Sequence, residues 1–378
     1  MSLPIVGTLE QVARIKSHEF CADIRSPDGR YRAVRSGLTL QILDTEPDAP
    51  VVVGKVPRIF GHQYLLALHP DGQRLAVRNP RRHTLEIRRG KQSLADIITD
   101  TVRLTWDGKP VAPDDPRPQW GYADEHLAFT ADGAFVVLAS QDADGAVVYL
   151  LSSETLALVH AFRDLRCYSP YAVTAGQAFS RPSHFAESWL APQPLAPETF
   201  LGVLNAGDSC MGVFALEVRD RQLVSVAPEA FSNAVFDIDS YALRGLRRLR
   251  DGVLVITRDY ELGRVPWPPE ATKRRQTAGA FPAAILNQSD NPLPFATPSY
   301  LECDDQVSDI ADNRLLIAIW APDQERTVAL LVLDADTFET VGVTPMPRSR
   351  ARIQPARLLP GGLVGIQSSR YTALYRFR

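Results

Sequence analysis

The sequence predicts an all-β chain folded as a single β-propeller of seven four-stranded blades, closed by pairing of its N- and C-terminal strands. Three observations predict it. An apolar run, a tight turn centred on Asp-Gly and a second apolar run recur along the chain. A second signal, an apolar strand followed by an Asp/Ser/Thr turn and another strand, comes further on in several of the same units. Finally, too little chain follows Gly361 for a full unit, while the N-terminal IVGTLEQVARI has the apolar content of the missing outer strand.

The first signal appears as ADIRSPDGRYRAV (22–34), LALHPDGQRLAV (66–77), LAFTADGAFVVLA (127–139), LRRLRDGVLVI (246–256) and ARLLPGGLVGI (356–366). SDIADNRLLIAI (308–319) is a variant with Asn313 in the place of the glycine. Such turns need φ > 0, which Gly, Asn and Asp adopt cheaply, so each marks a hairpin. The long gap between Gly133 and Gly252 fits two units, the missing turn being LAPETFLGVL (195–204). Unit length then approaches the ~40–50 residues of a four-stranded blade.

The second signal is QILDTEPDAPVVVG (41–54), LLSSETLALV (150–159) and LLVLDADTFETVGV (330–343), read as the link from third to fourth strand. Short polar turns at Arg35–Gly37, Asn79–His83, Gln141–Gly145, Ala206–Cys210 and Pro322–Arg326 join the second and third strands. The expected blades are 18–56, 60–106, 120–163, 165–227, 233–287, 300–345, and 350–378 completed by 4–15. Closure of this kind removes an exposed sheet edge. The Pro-rich stretch 263–300, with PWPPEATKRRQ inside it, reads as a long loop because proline cannot sit in a helix or a central strand. An array of β-sandwiches is the competing fold, and it leaves the repeat unexplained.

With the SPDG, HPDG and TADG turns and the strand–LDADT–strand segment in view, the chain resembles the degenerate bacterial β-propellers, the WD-repeat-like, TolB-like and lactonase-like (YncE-type) group. The resemblance implies the fold. It does not imply an activity, because that group includes scaffolds, binding proteins and enzymes.

Composition narrows the function classes. The 378 residues carry 41 Lys+Arg against 44 Asp+Glu, a formal charge of −3, so no chain-wide attraction to nucleic acid or an anionic membrane is expected. No apolar run approaches the ~20 residues of a membrane span. The first residues lack a basic segment followed by an apolar core, and the four cysteines form no CxxC pair. A cytoplasmic, monomeric protein with reduced thiols is therefore the expectation.

In a meander blade the Asp-Gly turns lie at one end. The second-to-third-strand hairpins lie at the other, with the links that lead into each first strand. That hairpin end is where ligand groups are expected. His62, Glu125, His126, His184, Asp304 and Asp305 fall where first strands begin. Imidazoles and carboxylates converging there would suit a divalent metal, calcium or zinc, or acid–base chemistry, although no motif requires a cofactor. The hairpins of three neighbouring units (seventh, first and second) are basic, with Arg370, Arg35, Arg78, Arg81, Arg82 and His83, and Arg352 falls where a first strand begins. They form an anion-binding sector. AGDSCMG (206–212) comes within one residue of a G-x-S-x-G nucleophile elbow, with Met211 where the last glycine should be, and reads as a hairpin turn. No complete catalytic motif is present. The expected function is a non-catalytic scaffold that binds a protein partner through the hairpin end. The alternatives are a metal-assisted hydrolase, lactonase-like or tailoring enzyme at the channel mouth, and a small-molecule or carbohydrate binder.

Overall fold

The structure is a computed structural model that describes residues 3–17, 19–56, 65–79, 84–90, 97–103, 125–142, 145–165, 167–168, 178–180, 184–185, 198–205, 211–226, 243–248, 252–257, 262–266, 276–277, 302–310, 313–321, 326–337, 339–347, 356–368 and 370–378. Those residues are all-β, arranged in small antiparallel sheets. The first sheet is a meander of Glu19–Arg25, Tyr31–Ser36, Thr39–Asp44 and Val51–Val56. The second is Leu65–Leu68, Arg74–Asn79, Thr84–Gly90 and Ile97–Arg103. The third is His126–Phe129, Phe135–Asp142, Gly145–Ser152 and Leu158–Phe162. Further along come Leu243–Arg248, Gly252–Thr257, Leu262–Pro266 and Gln276–Thr277, then Glu302–Ile310, Arg314–Ala321, Arg326–Asp334 and Thr340–Pro345.

The turn residues behave as their chemistry requires. Gly29, Gly72, Gly133 and Gly361 have φ of 73°, 68°, 72° and 68°, and Asn313 takes the same region at 56°. Among the described residues the only helical segment is the 3-10 turn Pro360–Gly362, and no helix is long and apolar enough to cross a membrane.

The last sheet is assembled from both ends of the chain. Arg357–Leu359, Leu363–Gln367 and Tyr371–Phe377 are joined at the outer position by Leu9–Lys16, with Leu9 opposite Phe377 and Lys16 opposite Tyr371. The preceding residues go elsewhere. Ile5 bridges Val343 in parallel, with Val6 N–H donating to the Val343 carbonyl and Val343 N–H to that of Pro4. The N-terminal segment thus ties two sheets together. Gly342 makes room for it: a Cβ there would stand 2.6 Å from the Pro4 carbonyl oxygen.

Two regions depart from the expected pattern. Residues 184–225 do form a four-strand meander (His184–Phe185, Thr199–Asn205, Met211–Arg219, Gln222–Ser225). A small hairpin, Cys167–Tyr168 with Ala178–Ser180, adds to it through Tyr168 opposite Met211. The stretch expected to be loop from 263 onward contains the strand Leu262–Pro266 and its partner Gln276–Thr277. Pro266 is the last residue of its strand, beyond the two residues that pair with Gln276–Thr277.

Among the described residues, core clusters join the first four sheets in chain order and the last sheet to both the sheet before it and the first, and period-2 alternation sends successive residues to opposite neighbours. On Tyr31–Ser36, Ala33 packs with Leu66, Leu75 and Val77 of the second sheet, while Val34 packs with Leu359, Leu363 and Leu374 of the last. On Arg74–Asn79, Ala76 turns instead toward Phe129, Val136 and Leu138 of the third. Leu316 and Ala318 in the same way meet Val364 and Ile366. Strands buried on both faces need near-continuous apolar runs, as Arg314–Ala321 and Arg326–Asp334 show. The arrangement is consistent with a β-propeller.

Candidate functional site

Polar side chains close the sheet junctions at both ends. At the turn end, Ser26, His69 and Thr130 occupy the same place in the three Asp-Gly turns, and all are buried. Ser26 and Thr130 donate to the aspartate two residues on and accept the N–H of Tyr31 and Phe135. His69 is larger and reaches the next sheet: its Nε2 donates to the Gly133 carbonyl oxygen at 3.0 Å. Nδ1 lies 3.0 Å from both the backbone N and Oδ1 of Asp71. With the ring neutral it accepts the N–H, and with the ring protonated it donates to the carboxylate. Burial pushes the Asp71 carboxyl up, but hydrogen bonds from His69, the Gln73 N–H and Arg74 outweigh it and hold the group well below the usual carboxylate range. Arg74 continues outward to Glu154 of the third sheet at 2.6 Å.

At the hairpin end, Arg78 and Glu125 form a buried, bidentate pair between the second and third sheets. Arg78 Nε donates to Oε2 at 2.9 Å and Nη2 to Oε1 at 2.7 Å. Ser140 Oγ donates to the same Oε1 at 2.6 Å. The two charged side chains are only 4% and 8% exposed, so the attraction acts in a poorly solvated setting where either charge alone would be costly. The third guanidinium nitrogen, Nη1, is buried and has no hydrogen-bond partner among the described residues. The segment Ala33-Val34-Arg35 repeats as Ala76-Val77-Arg78, which puts Arg35 in the equivalent position of the first sheet. Arg35 faces Glu19 across the ladder with Nε 3.5 Å from Oε2; this is an ion pair by distance, too long for a hydrogen bond, and Nε is buried without one. Between the last and first sheets, Ser17, Thr372 and Gln367 form a buried hydroxyl–hydroxyl–amide chain, and Ser17 N–H donates to the carbonyl of Arg370, whose residue is exposed.

The expected site residues therefore divide. Glu125 is committed to Arg78 and Ser140. His126 is half-buried at the start of its strand, opposite Ala139. Arg35 and Arg370 lie at the hairpin end of adjacent sheets. His184 lies opposite Asn205 in its ladder, and Asp304 and Asp305 fall within the register shift between Cys303 and Val307. His62, Arg81, Arg82 and Arg352, and the turn at 206–210, lie outside the described residues. Among the described residues no group of three or more His, Cys, Asp or Glu side chains could share a metal ion. The sequence pattern puts Arg78 among the basic hairpin residues of the anion-binding sector, and the structure buries it against Glu125. The AVR repeat was the signal for its burial, because the arginine follows two residues that both point into sheet junctions. His69 was read only as a turn residue, and its reach to the next sheet carries no local signature.

No protein-family profile and no curated protein matches this chain. Solved structures resemble it in shape. Raptor of Chaetomium thermophilum is 13% identical with a TM-score of 0.48, over 98% of this chain and 30% of that one. Hydrazine synthase of Kuenenia stuttgartiensis is 13% identical with a TM-score of 0.47, over 97% of this chain and 96% of that one. This chain thus spans under a third of the Raptor chain and nearly all of the hydrazine synthase chain.

Proposed function

We propose that the protein is a seven-bladed β-propeller scaffold, its ring closed by the N-terminal strand, that binds a protein partner through the hairpin end of its seventh, first and second blades. The observation that carries this reading is Leu38. It stands at the tip of the first-sheet hairpin and is 55% exposed, three residues after Arg35 in sequence and at the same end as Arg370. An exposed apolar side chain among arginines is the pattern of an interface anchor, in which the apolar group fills a pocket and guanidinium groups pair with carboxylates at the rim. The partner's complementary surface has an apolar recess bordered by Asp or Glu. The buried Arg78–Glu125 pair and the Ser17–Thr372–Gln367 chain support this reading by fixing the sheets beneath that surface.

The test is affinity purification of the full chain from its source cells as wild type, as the double variant Leu38→Asp/Arg370→Glu, and as Lys55→Glu on an outer strand. A partner held by wild type and Lys55→Glu and released by the double variant supports the reading. A partner set that is the same for all three overturns it.

A further inference from the structure

A cleft of about 480 Å³ opens between the outer parts of the third and fourth sheets, at the end that carries the Asp-Gly turns. Its size falls within the ~300–1,000 Å³ of small-ligand sites. It is bounded by the turn after Ser152, by Leu158 and His160 on the outer strand of the third sheet, and by the hairpin tip Asp220-Arg221 of the fourth.

Two features point to a ligand. His160 Nδ1 accepts the N–H of Leu223 at 3.1 Å, a bond from one sheet to the next. That bond fixes the ring across the junction and puts the ring proton on Nε2, so the cleft-lining imidazole is left with an N–H to donate. The second feature is the backbone. Among the described residues, two of the four non-glycine residues with positive φ line this cleft: Asp220 at 49° and Arg221 at 63°. The two-residue turn between Arg219 and Gln222 has the geometry that Asn-Gly fills most cheaply. Arg221 is the costly choice for that turn, so the guanidinium it displays at the cleft, rather than the turn itself, accounts for it.

We propose that this cleft binds a small ligand with one oxyanion head, a carboxylate or a phosphate, on a short branched apolar body. Arg221 and the His160 Nε2–H hold the head by charge-assisted hydrogen bonds. Leu158, apolar yet 37% exposed, is the floor for the body. Asp220, beside Arg221, disfavours a second anionic group on the same ligand.

The experiment is an NMR titration of the full chain with isovalerate, acetate and inorganic phosphate in separate arms, following the His160 ring and the Leu223 amide. A saturable shift with isovalerate and about tenfold weaker binding of acetate assigns a carboxylate on an apolar body. Tighter binding of phosphate than of isovalerate assigns the phosphate class. Arg221→Gly should weaken the bound probe at least about tenfold while leaving the melting temperature unchanged or higher, because glycine relaxes the turn and the loss cannot then come from unfolding. No saturable shift with any probe, or unchanged affinity in Arg221→Gly, overturns the proposal.

Discussion

His69 Nε2 lies 3.0 Å from the carbonyl oxygen of Gly133, and the same ring stands where a Gly133 side chain would be: a Cβ built there would come within 2.1 Å of Nε2. One glycine thus serves two needs, a positive φ of 72° for its own turn and space for a buried imidazole of the preceding sheet. The ring also meets Phe129 edge-on, with centroids 4.9 Å apart. Gly133→Ala is predicted to destabilise by about 2–4 kcal/mol, combining left-handed backbone cost with overpacking. Denaturant unfolding would check this, and a loss below about 1 kcal/mol would show that the ring moves aside freely.

The Arg78–Glu125 pair predicts a non-additive double-mutant cycle. Arg78→Met leaves a buried carboxylate with only Ser140 to satisfy it, at a cost of about 3–5 kcal/mol. Arg78→Met/Glu125→Met removes both charges and should be more stable than the single variant. Equal stability of the single and double variants would mean that the junction admits water and the pair is not held in a dry setting.

Acid stability should depend on Asp71. Its folded carboxyl is held below its unfolded value, so the stabilisation it supplies is complete above about pH 4 and is lost as pH falls toward the folded value. Asp44, held low chiefly by the hydrogen bond from Arg30, acts with the same sign. Asp71→Asn should flatten the fall in melting temperature between about pH 5 and pH 2. An acid limb as steep as that of wild type would assign the sensitivity to other carboxylates.

The N-terminal tie can be broken at one atom. Gly342→Val would drive a side chain into Pro4 and Val6 and displace the parallel bridge between Ile5 and Val343. Thr344 Oγ1, which donates to the Val6 carbonyl, would lose its acceptor. Amide exchange in Leu9–Lys16 should accelerate together with that in Thr340–Pro345. Faster exchange confined to the latter strand would show that the two sheets open independently.

The legibility of this protein follows the range of its interactions. Alternating apolar runs and Asp-Gly or Asn turns are local, and Asn313 at φ 56° shows that one residue's backbone preference sufficed to identify a hairpin. The Leu9–Lys16 strand was legible for a related reason: the last unit lacked an outer strand and the first residues had the pattern to supply it. The fate of individual charges was not legible. Arg78 and Glu125 are 47 positions apart, and His160 and Leu223 are 63 apart; consecutive units are expected to be neighbours, but nothing in the spacing says that these groups meet. Sequence alone therefore determined that the chain is a set of antiparallel hairpin units, because strand propensity and turn geometry depend on a few adjacent residues. Only the tertiary structure decided which polar side chains are buried locks between sheets and which side chains, like Leu38, Arg221 and Arg370, remain exposed, because burial is set by how one sheet packs on the next.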